Sequence, residues 1–188
     1  PAGEPGPEEV SALANALLDG EVWGVFTGAA EVGPRALGHR SIVAMTDSAA
    51  LRVRVSEHIK RREWYRPVAP ILCAEAAQAV LDDTAVASPL SRWMLGAWTV
   101  RQEWQAALQG VLHADGTVRA QVVRPDGTNT WMHSLLLHLW REHGVPALIN
   151  TSFNGPGQPI VQRRDAAIRA ARDLGLDGLV LHGSLHRP

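Results

Sequence analysis

The sequence contains a single cysteine, Cys73, which excludes an internal disulfide framework and fits a reducing compartment. No apolar run approaches the ~20 residues that a membrane-spanning helix needs, and the first residues show no signal-peptide pattern. The net charge is −1, so the overall field gives no reason to expect a nucleic acid or an anionic membrane as partner. We therefore expect a cytoplasmic protein whose functional charges are concentrated locally.

The 188 residues, of which 46% are apolar, suffice for one folded domain with a sizeable core. Residues 1–7 are rich in Pro and Gly and do not begin with Met, a composition typical of a linker remnant. We therefore expect residues 8–188 to form the domain, and we expect this domain to belong to a longer protein.

Apolar periodicity and turn residues predict an irregular sequence of strands and helices. The predicted helices are 8–18, 48–61, 74–81, 130–143 and 165–174, and the predicted strands are 22–27, 41–45, 68–72, 93–100, 118–123, 147–149 and 179–182. Loops are expected at 28–40 and 82–90, and Asp115-Gly116 is the strongest hairpin signal. Because strands and helices do not alternate strictly, we expect an α+β (α/β) fold with a mixed sheet.

Three cations, Lys60, Arg62 and Arg66, lie close together and run into an apolar segment. Arg presents a planar fork to phosphate or carboxylate, and Lys presents a movable point charge. The alternative is a solvated helix end, where Lys and Arg meet the helix dipole. Pro67 and Pro70 exclude a continuing helix, which favours an anion site where the chain changes direction.

A second segment, residues 33–40, places two glycines around a Pro-Arg pair and ends on a second arginine. Glycine allows backbone N–H groups to turn toward an anion, and Arg35 and Arg40 add positive charge. The segment has neither the Walker pattern nor the dinucleotide-binding glycine pattern. An ordinary tight loop between two strands is the alternative interpretation.

A third segment, residues 150–154, carries four polar side chains directly after a short apolar strand. Asn150, Ser152 and Asn154 supply neutral donors and acceptors. The alternative is a simple turn, since Asn and Ser are common turn residues. Gly155 and Gly157 already supply that turn, which favours a binding role for the preceding residues.

A fourth segment, residues 113–121, places Arg119 and Gln121 on one face of the strand after the hairpin turn. A solvent-facing strand edge is the alternative.

His113 and Asp115 lack a third ligand nearby, so we predict no metal site. Cys73 lies in an apolar run and is expected in the core. The candidate functional residues of the four segments are therefore cations and neutral polar groups, which suit phosphate binding better than proton abstraction.

These four segments, in this order, resemble the C-terminal domain of the O-carbamoyltransferase family that decorates antibiotics and nodulation factors. The resemblance spans roughly residues 8–185, and its matching stretches are 31–42, 59–67, 113–121, and 150–154 with 158–161. The resemblance implies a YrdC-like fold, a twisted mixed sheet with flanking helices and a concave nucleotide site. The Lys-x-Arg and Ser-x-Asn signature of that fold is present as Lys60-x-Arg62 and Ser152-x-Asn154.

The resemblance further implies that the domain binds ATP, with Mg²⁺ accompanying the nucleotide, and carbamoyl phosphate, and that it forms carbamoyl-adenylate. The carbamoyl group would then pass to a hydroxyl acceptor at a separate N-terminal transferase domain. The catalytic group would be Lys60, Arg62, Arg35 and Arg119. The nucleotide-binding group would be Arg66, Asn150, Ser152, Asn154 and Arg40.

One position departs from the family pattern, because Ala29 stands where the family usually has Arg. Either the role of that Arg is minor, or this member handles its ligand differently, or it is partly degenerate. The alternative to an enzyme is a binding module. Such a module would be a degenerate nucleotide-binding domain or an RNA binder. The near-neutral charge argues against strong binding to an RNA backbone.

Overall fold

The structure is a computed structural model that describes residues 3–188. The strands are β1 (Trp23–Phe26), β2 (Arg40–Met45), β3 (Ala69–Cys73), β4 (Trp98–Thr99), β5 (Thr117–Val118), β6 (Gln121–Val123), β7 (Leu148–Ser152), β8 (Gly178–Leu181) and β9 (Ser184–His186). The α-helices are α1 (Pro7–Leu18), α2 (Ala49–Val53), α3 (Ala74–Val80), α4 (Thr84–Ala87), α5 (Thr130–His143) and α6 (Arg164–Asp173). A π-helical segment, Arg54–Ile59, extends α2, and 3₁₀ turns span Pro89–Trp93 and Gln102–Trp104.

A seven-stranded mixed sheet in the order β6-β3-β7-β2-β1-β8-β9 forms the centre of the fold. The β3–β6 and β1–β8 pairs are parallel, and the other neighbours are antiparallel. Strands β4 and β5 form a separate antiparallel pair. The predicted mixed sheet with flanking helices is confirmed.

Apolar layers cover both faces of the sheet, which explains why its central strands are buried along their whole length. On one face, α1 and α5 contribute Leu13, Leu17 and Leu139 to the core. On the other face, the π-helical segment and α6 pack with Phe153 of the chain after β7. The ends of β2, β3 and β7 are therefore anchored in this core.

Helix α5 matches its predicted bounds at both ends. Its C-terminus is set by Gly144, whose left-handed backbone (φ 66°) lets its N–H reach the carbonyls of Leu139 and Trp140. Strands at 22–27, 41–45, 68–72 and 179–182 and helices at 8–18, 74–81 and 165–174 are confirmed to within about two residues. Helix 48–61 is confirmed as α2 plus the π-helical segment.

The expectations for residues 82–100 were wrong. The predicted loop 82–90 contains α4 and the start of a 3₁₀ turn, and the predicted strand 93–100 shrinks to β4. Met94 adopts a left-handed conformation with φ 59°, which no strand can contain. Its side chain is buried, so tertiary packing overrides the apolar strand pattern of this stretch.

The Asp115-Gly116 turn is confirmed, because the His113 N–H donates to the Thr117 carbonyl oxygen at 2.8 Å and Gly116 has φ 78°. The single returning strand predicted at 118–123 is wrong. The stretch forms two strands: β5 pairs with β4, whereas β6 pairs with β3 in the main sheet. Arg119 lies at the point where the chain passes from one sheet to the other.

Strand β7 is longer than the predicted 147–149, so Asn150, Thr151 and Ser152 belong to the sheet and not to a loop. Strand β9 was not predicted. The predicted linker remnant 1–7 lies partly outside the described residues, and Pro7 already belongs to α1. None of the helices in residues 3–188 combines the length and apolarity required to cross a membrane.

The packing of Gly24 against Phe153 gives a test of the rigidity of the strand end. A Cβ atom at Gly24 would lie 2.9 Å from Cζ of Phe153 and 3.1 Å from Cδ1 of Leu176. Because overpacking forces neighbouring atoms apart, we expect Gly24→Ala to lower the free energy of unfolding by about 1–3 kcal/mol in a denaturant titration. In a Phe153→Leu background the same substitution should cost less. Equal costs in both backgrounds would contradict this contact.

Candidate functional site

Lys60, the only lysine in the chain, joins two segments that are distant in sequence. Its Nζ donates to the Ser152 carbonyl oxygen at 2.8 Å and reaches Ser152 Oγ at 3.3 Å. It also donates to the carbonyl oxygen of Asn154 at 2.8 Å and to Asn154 Oδ1 at 2.7 Å. The Lys-x-Arg and Ser-x-Asn pairs therefore meet directly.

The local backbone explains why consecutive cations point in different directions. The π-helical segment ends at Ile59, and the Lys60 N–H donates to Val55 O at 3.1 Å. Arg61 then adopts a left-handed backbone conformation with φ 48°, which residues other than Gly rarely take. Lys60 is consequently buried, with 6% of its surface exposed, while Arg61 is exposed and Arg62 is half-buried.

Arg35, Arg62 and Arg119 converge on a small cavity of about 50 Å³. The three come from the loop before β2, from the chain after the π-helical segment and from the passage between β5 and β6. Further lining comes from the ends of β3 and β7 and from neighbouring loops: Pro34, Ala36, Pro67, Ala69, Met94, Asn150, Thr151 and Ser152. We call this cavity the arginine cavity.

The three guanidinium groups have no carboxylate partner among residues 3–188. The Nε atoms of Arg35 and Arg119 are buried without a hydrogen-bond partner there. Burial lowers the pKa of the Arg62 guanidinium, and the neighbouring arginines lower it further. Burial and then Arg35 also lower the pKa of Arg119. Like charges held together in this way favour binding of an anion.

The loop that carries Arg35 is held by hydrogen bonds to its backbone. Glu31 Oε1 accepts from the N–H groups of Leu37 at 2.6 Å and His39 at 2.8 Å. Gln121 Nε2 donates to the Leu37 carbonyl oxygen at 2.9 Å. Arg35 is therefore presented to the cavity by a loop in which Leu37 and His39, just after it, are fixed by hydrogen bonds.

Asn150 connects that loop to the strand end and also faces the arginine cavity. Its Nδ2 donates to Gln121 Oε1 at 2.8 Å and to the carbonyl oxygen of Ala36 at 3.2 Å. The Asn150 side chain is buried, and its Oδ1 has no hydrogen-bond partner among residues 3–188. Because a buried polar atom without a partner is costly, this oxygen is a candidate acceptor for a bound ligand.

Two of the nominated residues, Arg40 and Arg66, do not line the arginine cavity. The buried Arg40 guanidinium donates to the carbonyl oxygens of Thr27 at 2.6 Å and Gly28 at 3.1 Å. It also lies 3.8 Å from the centre of the Phe26 ring. Arg66 forms an exposed ion pair with Glu63 at 3.5 Å. Arg40 thus has the contacts of a structural residue, and nucleotide binding by both residues stays a prediction.

Several residues of the site were missed from the sequence. Glu31 braces the Arg35 loop, and Met94 and Thr151 line the arginine cavity. Glu31 lies in the matching stretch 31–42, but no local spacing indicates that its carboxylate binds backbone N–H groups. Met94 lies in an unpredicted turn. Ala29, at the departing position, is exposed and does not line the cavity.

The donor set around the arginine cavity is unlike a metal site. Within residues 3–188, no group of three or more His, Cys, Asp and Glu side chains comes together. Cys73 is buried, and burial raises the pKa of its thiol to about 11, which keeps the thiol protonated and unreactive at neutral pH. The site therefore offers cations and amide groups, which bind and polarise anions.

The buried position of Lys60 gives a pH prediction. Burial, and then the charge on Arg62, lowers the pKa of Lys60 to about 7. A sample labelled only at lysine gives one side-chain signal in NMR, and its titration midpoint should lie far below the ordinary ~10.4. Between pH 7 and the ordinary lysine pKa of ~10.4, Lys60 holds a proton in the unfolded chain and lacks it in the folded chain. Unfolding free energy should therefore rise with pH from about 7 to 10, by at most ~1.4 kcal/mol per unit from this group.

Lys60→Met is the control for this prediction, because it removes the titrating group while keeping a side chain of similar length. The rise attributed to Lys60 should be absent from this variant when its unfolding is measured across the same pH range. A lysine signal that titrates near its ordinary pKa would contradict the assignment.

Comparison with known proteins places this arrangement in a family. Residues 14–187 match the family model described as carbamoyltransferase C-terminus. The 3'-hydroxymethylcephem-O-carbamoyltransferase of Amycolatopsis lactamdurans is 36% identical over 175 residues, which are 93% of this chain and 32% of that protein. The nodulation protein NolNO of Sinorhizobium fredii is 36% identical over 174 residues, 91% of this chain and 25% of that protein.

A solved structure, full-length HypF in the phosphate- and nucleotide-bound form, is similar in fold. Its TM-score is 0.61 at 16% sequence identity, covering 92% of this chain and 24% of that chain. This likeness confirms the predicted YrdC-like fold. The chain spans about a quarter to a third of the length of the relatives described above. From the match over residues 14–187, the chain belongs to the carbamoyltransferase C-terminal family.

Proposed function

We propose that this chain is the domain of an O-carbamoyltransferase that binds ATP and carbamoyl phosphate and forms carbamoyl-adenylate. The observation that carries the proposal is the convergence of Arg35, Arg62 and Arg119, without carboxylate partners in residues 3–188, on the strand end that Lys60 holds. Two relatives are named 3'-hydroxymethylcephem-O-carbamoyltransferase, and the fold relative HypF is described as phosphate- and nucleotide-bound.

The arginine cavity suits phosphoryl groups in charge. Arginines from three chain segments line it, and none of them has a carboxylate partner among residues 3–188. Each guanidinium can donate two parallel hydrogen bonds to a phosphate. Asn150 Oδ1 adds an acceptor for the carbamoyl NH₂ group, which has no equivalent on phosphate. These groups are in place before a ligand arrives, so little reorganisation accompanies binding.

The proposed reaction balances in two steps. Carbamoyl phosphate first loses its phosphate to water and leaves carbamate. A carbamate oxygen then attacks the α-phosphorus of ATP, the bond to the β-phosphate breaks, and pyrophosphate leaves. The work of Arg35, Arg62 and Arg119 is to hold the phosphates in line and to neutralise the negative charge that develops on their oxygens.

Lys60 acts in this scheme as a positioning residue. Its three N–H groups already have four oxygen partners on Ser152 and Asn154. A direct bond to phosphate would require one of these partners to be released. We therefore assign Lys60 the role of holding the strand end against the chain that carries Arg62.

Mg²⁺ would accompany ATP and offset part of the charge on the phosphates. Carbamoyl transfer to a hydroxyl of a natural product would take place in a part of the enzyme that precedes this domain, and we expect both reactions in the cytoplasm. RNA binding is a weaker candidate, because a net charge of −1 argues against strong binding to an RNA backbone.

Removing arginines tests this function with a readout that a structural role would not give. We expect Arg62→Ala and Arg119→Ala each to lower carbamoyl-phosphate-dependent exchange between ATP and pyrophosphate by about 100-fold or more. Because each variant relieves repulsion between like charges, its melting temperature should equal or exceed that of the parent chain.

Arg141→Ala is the matched control, since Arg141 is an exposed arginine on α5 away from the arginine cavity. It should retain full exchange. Exchange that survives both cavity substitutions would show that the arginine cavity does not hold the reacting phosphates. Loss of exchange together with a lower melting temperature in both variants would assign the arginines a structural role.

A further inference from the structure

Gln121 is a buried polar residue beside the arginine cavity, and no step of the reaction proposed above uses it. It lies on β6 with 5% of its surface exposed, and it does not line the cavity. Strand β3 separates it from Asn150, because Ile71 of β3 pairs with Gln121 and Ala69 pairs with Asn150. Paired residues point to the same face of a sheet, as do residues two apart on one strand. The side chains of Gln121 and Asn150 therefore meet on one face.

Two backbone carbonyl groups fix the direction of each hydrogen bond in this group. A carbonyl oxygen only accepts, so the Gln121 atom 2.9 Å from the Leu37 carbonyl oxygen is the amide nitrogen Nε2. Gln121 Oε1 therefore faces Asn150, and the Asn150 atom 2.8 Å away is the donor Nδ2. The Ala36 carbonyl oxygen, 3.2 Å from the same Nδ2, requires the same orientation. The Asn150 amide cannot exchange its two ends without losing both bonds.

This orientation leaves one acceptor on the side of the arginine cavity. Asn150 lines the cavity, and its Oδ1 is buried without a hydrogen-bond partner among residues 3–188. The arginines that line the cavity can only donate. An oxygen atom of a ligand therefore suits the arginines, whereas an N–H or O–H group suits Asn150 Oδ1. If the Asn150 amide turned over, a donor would replace this acceptor and the distinction would be lost.

We propose that Gln121 is the positioning residue that makes the site select a carbamoyl group over an acyl group of the same size, an inference that rests on the function proposed above. Carbamoyl phosphate and acetyl phosphate differ only in an NH₂ or a CH₃ group, so their phosphoryl groups give no selectivity. The NH₂ group can donate to Asn150 Oδ1, whereas CH₃ leaves this buried oxygen unpaired. Sites that bind a substrate N–H group reject analogues that lack it. Gln121 acts through Asn150 and does not touch the ligand.

Two stable phosphonates measure this selectivity without turnover. Phosphonoacetamide and acetonylphosphonate carry CH₂ in place of the bridging oxygen, and they differ from each other only in NH₂ or CH₃. In calorimetry, the parent chain should bind phosphonoacetamide at least ~10-fold more tightly than acetonylphosphonate. Gln121→Met keeps the length of the side chain and removes both hydrogen-bonding groups. It should abolish the preference by weakening phosphonoacetamide alone, with the affinity for acetonylphosphonate unchanged.

Gln121→Glu is the conservative variant, because its carboxylate still offers Asn150 Nδ2 an acceptor oxygen. Its negative charge should weaken both compounds, and the ~10-fold preference should remain. Gln78→Met is the matched control, since Gln78 is exposed on α3 and does not line the arginine cavity. It should bind both compounds like the parent chain. If Gln121 were merely structural, Gln121→Met would weaken both compounds and leave the preference unchanged.

Three results would overturn the inference while leaving the anion site standing. The first is equal affinity of the parent chain for the two phosphonates. The second is a preference that persists in a folded Gln121→Met, and the third is a preference that is lost in a folded Gln121→Glu. If the parent chain binds neither compound, the proposed function itself fails, and the selectivity fails with it.

A crystal structure of the parent chain with phosphonoacetamide decides the question if Gln121→Met does not fold. An NH₂ group within hydrogen-bond distance of Asn150 Oδ1, with Asn150 Nδ2 still bound to Gln121, supports the inference. A carboxamide that points away from Asn150 overturns it.

Discussion

The arrangement of the site depends on one buried amino group. Lys60 Nζ has oxygen partners on Ser152 and Asn154, more than ninety residues further along the chain. A polar group removed from water is costly unless its hydrogen bonds are replaced, and here four oxygen atoms replace them. The free energy of those bonds fixes the distance between the chain that carries Arg62 and the end of β7. Arg62 and Ser152, from the two segments that Lys60 joins, both line the arginine cavity.

Repulsion between the arginines of the arginine cavity lowers the stability of the fold in the same region. Three guanidinium groups, from Arg35, Arg62 and Arg119, face one another without an anionic partner among the described residues. The fold tolerates this repulsion because the supporting backbone is held by neutral hydrogen bonds, such as Asn150 to Gln121 and Gln121 to Leu37. Stability is thereby exchanged for a site that is already shaped for negative charge.

Strongly periodic or well-punctuated elements could be predicted from the sequence, such as α5 with its terminal Gly144. The Lys60 and Ser152 segments could be paired only through family resemblance, because local patterns contain no information on contacts across ninety residues. Met94 was mispredicted since its left-handed backbone is imposed by packing and not by its own propensity. Arg40 and Glu31 show the same limit, because a charged side chain looks identical in sequence whether it binds a ligand or its own backbone carbonyls and N–H groups.

A crystal structure of the chain with ATP and carbamoyl phosphate tests the central claim most directly. The account predicts phosphate oxygens within hydrogen-bond distance of the guanidinium groups of Arg35, Arg62 and Arg119, with Lys60 still bound to Ser152 and Asn154. Phosphates bound elsewhere on the surface, with the arginine cavity holding only water, would contradict it.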